Sequence, residues 1–163
     1  RTTSSAASDV YKRQIYYADS LCLVRKLDRA ARVIERVIDV CEARLPEDHP
    51  LLLGAMSSMA RIHASRGEFD DALELIEEAV EGYESFDPLD PRRIAAEMSH
   101  GAYLRNVLRP VESERVLGAL LRRLETKKRN DEVTIVRTKM LYMLTLKDLG
   151  RKREALRLSL IHI

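Results

Sequence analysis

The chain has 163 residues, of which 45% are hydrophobic and 33% charged, a balance that suits a folded globular domain and excludes low-complexity or collagen-like chains. The net charge of +2 comes from Arg1, Lys12 and Arg13 against Asp9; the remaining 25 basic and 25 acidic residues cancel, so charge gives no pointer to nucleic acid. No run approaches the ~18 apolar residues of a membrane span, and Cys22 and Cys41 have neither metal-like nor redox-like spacing.

Both ends read as foreign to the fold. Residues 4–14, SSAASDVYKRQ, back-translate in one frame to a transposase-type sequencing adapter, and residues 158–163, LSLIHI, to its complementary end. Residues 1–14 are therefore expected to be an adapter-derived or disordered tail, and 158–163 a second adapter-derived tail, both outside fold reasoning. The natural segment is expected to be Ile15–Arg157, cut from a longer protein.

From Ile15 onward the apolar residues recur at helical spacing. A first helix, Ile15 to Arg25, carries Tyr17, Ala18 and Leu21 on one face. Its partner, Leu27 to Arg44, has the stripe Leu27, Ala30, Ala31, Ile34, Val37, Ile38 and Cys41. A proline-bounded connector, Leu45 to Pro50, follows, with Pro50 fitting the first turn of the next helix. Helices are then predicted near 51–65 and 69–84, joined at Gly67, where a helix must stop and reverse. A second connector, Phe86 to Pro91, copies the first and places Asp90 to cap the next helix. Helices follow from Arg92 to Val107 and through Leu117, Leu120, Leu121 and Leu124. The turn between them, Leu108-Arg109-Pro110, reads as one residue short. A helix from Glu132 to Leu149 ends at Gly150, with Ala155 beyond. Cut off from its partner helix, this one is expected to leave Met140, Tyr142, Met143 and Leu146 partly bare, as Ile15, Tyr17 and Leu21 are at the other end.

These pairs repeat. Slim residues on the first helices fall at Ala18, Ala60, Gly101 and Met143, and on the second helices at Ala30, Ala72, Ser113 and Ala155. Both series are spaced 42, 41 and 42, the mark of a stacked repeat. The repeats lie at about 15–45, 51–86, 92–129 and 132–157, the first and last truncated. The fold class is all-α: an α-solenoid of antiparallel helix pairs, about three and a half repeats.

The pattern Met56-x2-Met59-Ala60-x2-His63…Ala72-x3-Ile76 resembles that of tetratricopeptide repeats. The longer period and the connector Glu47-Asp48-His49-Pro50 resemble the kinesin-light-chain-like variety. The resemblance covers essentially all of Ile15–Arg157. It implies a right-handed superhelix and a protein- or peptide-binding scaffold without catalysis of its own. It also implies that the first helices line a concave groove. Residues there that lie off the packing stripe are Asp19, Ser57, Arg61, Arg105, Asn106, Arg137 and Lys147, of which Arg61, Arg105 and Lys147 could pair with carboxylates or phosphate on an extended peptide. Ser57 and Ser58 stand where such proteins commonly carry asparagines.

No constellation of catalytic, cofactor or metal type stands out. His63 and His100 fall on packing faces, His49 in a connector and His162 in the tail. The acidic pairs Asp70-Asp71 and Glu77-Glu78 do not read as convergent, and Asp70 and Asp71 suit a helix start. The basic runs, such as Lys127-Lys128-Arg129, are interleaved with acids and lack accompanying aromatics. No cofactor, nucleic acid or membrane is expected, the partner being a protein or peptide in a reducing, cytoplasmic setting. The alternative is the regulatory part of a multidomain enzyme, a kinase or nucleotide-binding regulator, whose active domain lies elsewhere.

Overall fold

A computed structural model of the chain describes the backbone of residues 2–126 and 132–160, and every regular element in those segments is helical. The chain forms two compact units, Arg1–Ser85 and Phe86–Ile163. The first holds α1 (Thr2–Leu23), α2 (Leu27–Glu42), α3 (Pro50–Arg66) and α4 (Phe69–Gly82), closed by a 3-10 turn at Tyr83–Ser85. The second holds α5 (Pro91–Asn106), α6 (Pro110–Thr126), α7 (Glu132–Asp148) and α8 (Lys152–Leu160). Consecutive helices pack in antiparallel pairs, and in each unit the second helix of one pair also packs on the first helix of the next.

The apolar stripes bury as their spacing requires. Ala30, Ala31, Ile34, Val37 and Cys41 of α2 are buried, as are Ala72, Leu73, Ile76 and Ala79 of α4. Helix α3 is buried nearly all round, including Leu52, Leu53, Met56, Met59 and Ile62, because α1, α2 and α4 all pack against it. The slim positions sit where helix axes come closest: Ala18, Ala30, Ala60 and Ala72 are each 0% exposed. In the second unit Gly101 takes this place, and a Cβ there would lie 2.5 Å from Leu117 Cγ. Ser113 is larger and polar, and its hydroxyl is satisfied by donating to the Gly101 carbonyl at 2.8 Å and by contact with Thr145 Oγ1 at 3.0 Å.

The four turns inside the pairs are one motif. Arg25, Gly67, Leu108 and Gly150 all adopt positive φ, at 60°, 85°, 60° and 74°. At each, two N–H groups close the preceding helix: for Gly67 these are Gly67 N–H to Ala64 O and Glu68 N–H to His63 O, and for Leu108 they are Leu108 N–H to Arg105 O and Arg109 N–H to Leu104 O. The third turn is therefore not short. Leu108 occupies the glycine's place and Pro110 starts α6 as Phe69 starts α4. A leucine in that backbone region is strained by roughly 1 kcal/mol, and Leu108, 87% exposed, has little packing to lose. Leu108→Gly is expected to stabilise the second unit by about 0.5–1 kcal/mol and Gly67→Ala to destabilise the first by about 1 kcal/mol; opposite shifts in the urea midpoint would check both.

Helix starts repeat as well. Pro50 and Pro91 occupy first turns, and Asp90 caps α5 by accepting from Arg92 N–H at 2.8 Å. His49, read as a connector residue, performs the same task for α3, its Nδ1 accepting from Leu51 N–H at 3.1 Å. Hydrogen bonds from the Arg92 side chain hold the Asp90 carboxyl below its ordinary 3.8, with backbone N–H groups helping and burial opposing. A depressed carboxyl stabilises the fold above its unfolded pKa and ceases to as pH falls through the folded value. Asp90→Ala is thus expected to cost about 1 kcal/mol at neutral pH. In urea titrations that difference should fade only below pH 3.8.

At the ends, the segment read as a tail is helical and continuous with Ile15, since α1 begins at Thr2. Met140 is 58% exposed and Tyr142 and Met143 are half-buried, as expected. Leu146 and Leu21 differ, at 1% and 6% exposed. Helix α8, though only nine residues long, packs on α7, and α2 and α3 pack on α1, so these residues are enclosed from within each unit.

Candidate functional site

The first-helix faces carry the polar residues singled out by sequence. In the first unit, α1 and α3 lie side by side, which brings Asp19 and Arg61 into a direct ion pair. Ser58 donates to the same Asp19 oxygen at 3.0 Å, and Arg61 reaches the Ser58 hydroxyl at 3.4 Å. Ser57 instead donates to the Leu53 carbonyl of its own helix at 2.8 Å. The inter-helix serine is therefore Ser58, 5% exposed and one position from the residue expected. In the second unit Arg105 binds Asp148 at 2.7 Å across α5 and α7. Asn106, Arg137 and Lys147 are exposed. Arg61 and Arg105 are thus engaged by carboxylates of the chain itself, which the sequence did not signal, because their partners lie 42 and 43 residues away.

Arg61 is 47% and Asp19 30% exposed. Exposed pairs of this kind contribute only ~0–1 kcal/mol, so either member is available to a competing ligand at small cost. Cys22 lies beside them. Burial pushes its thiol above the ordinary range while the Arg61 guanidinium pulls the other way. Cys41 is pushed up by burial too, so both thiols stay protonated at neutral pH and neither is an activated nucleophile.

Around the Gly67 turn, His63 Nδ1 lies 2.6 Å from Glu68 Oε2 and 4.0 Å from Asp71 Oδ2. Among the described residues this is the one group with donor atoms close enough for a metal ion. Arg66 Nη1, 3.9 Å from the same Glu68 oxygen, puts a competing positive charge there. The arrangement ties the end of α3 to the start of α4.

A cavity of about 590 Å³ opens in the first unit between the C-terminal ends of α2 and α4, the connector before Pro50, and the first half of α3. Leu45, Leu52, Leu53 and Met56 make its apolar lining. Glu42, Glu47, Asp48, Glu78 and Glu81 complete it. Glu78 therefore does converge with other acids, contrary to the reading of its sequence pair. Glu47-Asp48 beside a proline was the one available signal; the rest of the set is assembled only by packing.

Among the described residues no helix is long and apolar enough to cross a membrane. Residues 11–85 match the family model described as tetratricopeptide repeat. No curated protein matches the chain. Among solved structures, the chain is similar to a candidate kinesin light chain from Podosopora anserina with nearly identical TPR-like repeats, at 18% identity and a TM-score of 0.77, covering 91% of this chain and 71% of that one. It is also similar to BtubC (BKLC) from P. vanneervenii, at 15% identity and a TM-score of 0.81, covering 93% of this chain and 59% of that one. These likenesses establish an α-solenoid fold of helix-pair repeats.

Proposed function

We propose that this chain is a protein- or peptide-binding module with no catalysis of its own, on the match of residues 11–85 to the tetratricopeptide repeat model, a repeat that generally serves as a protein-interaction scaffold. The observation that carries the reading is the Asp19–Ser58–Arg61 cluster, its arginine 47% exposed, across the first helices of two successive repeats. An extended peptide lying along α1 and α3 would offer a carboxylate to Arg61 and a backbone N–H to Asp19, exchanging one weak internal pair for two external contacts. Ser57, Arg105, Asn106, Arg137 and Lys147 are the further groove candidates of the same proposal. A cytoplasmic setting belongs to it too, in keeping with Cys22 and Cys41 as free thiols.

The test is fluorescence anisotropy with pools of labelled nine-residue peptides rich in Asp and Glu. Saturable binding that Arg61→Glu weakens about tenfold, with Glu74→Ala as the unaffected control, is the expected result. Binding indifferent to Arg61, or no saturable binding from any pool, would sink the assignment.

A further inference from the structure

The cavity at the ends of α2 and α4 has a chemistry opposite to that of the Arg61 face. Its floor is apolar and already formed: Leu52, Leu53 and Met56 are 5%, 1% and 6% exposed, so they back the cavity without collapsing into it. Its volume of about 590 Å³ lies within the range of ordinary ligand sites. Gly82 keeps the wall close, since a Cβ there would lie 2.4 Å from Leu53 Cδ2. Any side chain at that position would force Leu53 to shift.

The rim carries charge of one sign. Glu42, Glu47, Asp48, Glu78 and Glu81 are all exposed, and no lysine, arginine or histidine lines the cavity. Three other acids of this unit, Asp19, Asp28 and Glu68, are by contrast each engaged by an arginine. Among the described residues none of the five rim carboxylates forms an ion pair or hydrogen bond. Helices α2 and α4 also end here, at Glu42 and Gly82, which adds the negative ends of two helix dipoles. The positive start of α3 opposes them, but His49 already accepts from its Leu51 N–H. The five carboxylates therefore share one rim with no basic residue lining it.

We infer that this cavity is a second docking site, for a basic peptide segment carrying one bulky apolar anchor flanked by lysines or arginines. The anchor would sit on Leu52, Leu53 and Met56, where a flexible thioether adapts to varied shapes. The flanking cations would reach the rim acids, as basic amphipathic segments do on apolar grooves edged by acids. The site is distinct from the Arg61 face in position and in the sign of its charge.

The experiment uses the 163-residue chain and a labelled octapeptide with Leu-Phe at its centre and three Lys or Arg residues on each side. The expected result is saturable binding at low salt, weakened about tenfold by the pair Glu78→Gln and Glu81→Gln. Replacing the central Leu-Phe by Ser-Gly should weaken it comparably. With ¹³C-methyl methionine, the Met56 methyl resonance should move on titration while those of Met59 and Met98 stay put, a readout that also verifies the fold of the variant. Arg61→Glu should leave this binding unchanged, which separates it from the peptide face proposed above. Three results would overturn the inference: no binding, equal binding by the Glu78/Glu81 variant, or equal binding of the Ser-Gly peptide or spermine, which would make the rim a diffuse acidic patch only.

Discussion

Replacing Ala72 by Trp is expected to cost the first unit about 3 kcal/mol or more, the upper end of what overpacking costs. Ala72 is 0% exposed and belongs to the series of slim residues where paired helices come closest. An indole there is far larger than the space a fully buried alanine fills, so α3 and α4, the most extensively packed helix pair of this unit, would have to separate. Glu74→Ala, on the exposed face of the same helix, is expected to change stability by less than about 0.5 kcal/mol. Urea melts followed by circular dichroism would compare the two. Coincident midpoints would show that the register of α4 has been misassigned.

The second large effect is expected at Glu97. Its side chain is 11% exposed, with one oxygen accepting from Arg93 Nε at 3.0 Å and the other paired with Arg123. Arg93 also donates to the Phe86 carbonyl at 3.0 Å, anchoring the connector to α5. Glu97→Ala would remove the carboxylate that bridges these two guanidiniums, 17% and 24% exposed. Breaking a buried pair from one side costs ~3–5 kcal/mol; with both arginines still partly wetted, a loss of about 2–3 kcal/mol is expected. Arg123 Nε is buried without a hydrogen-bond partner even in the native arrangement, so Glu97→Ala combined with Arg123→Met should recover part of the loss. A double variant as unstable as Glu97→Ala alone would mean that the carboxylate acts by packing rather than by charge.

The repeat was legible because it is written in local periodicity. Apolar spacing within each helix, prolines at helix starts and glycine at Gly67 and Gly150 act within a few residues, and the 42, 41 and 42 spacing of the slim positions registers one pair against the next. The family resemblance added the kind of stack, and the similarity to solved repeat structures bears it out. Where a local signal was missing, the repeat context supplied the conformation: Leu108 and Arg25 take the left-handed cap because their helix pairs close only with that turn. The sequence could nominate Asp19 and Arg61 as polar residues off the stripe. It could not pair them, since their contact depends on α1 lying against α3 across 42 residues of chain. The acidic cavity lies further still from sequence reading. Its five carboxylates come from two helix ends and a connector, each an unremarkable solvated acid by local pattern. Periodicity states which face of a helix is buried, but which exposed charges become neighbours is decided by how the pairs stack.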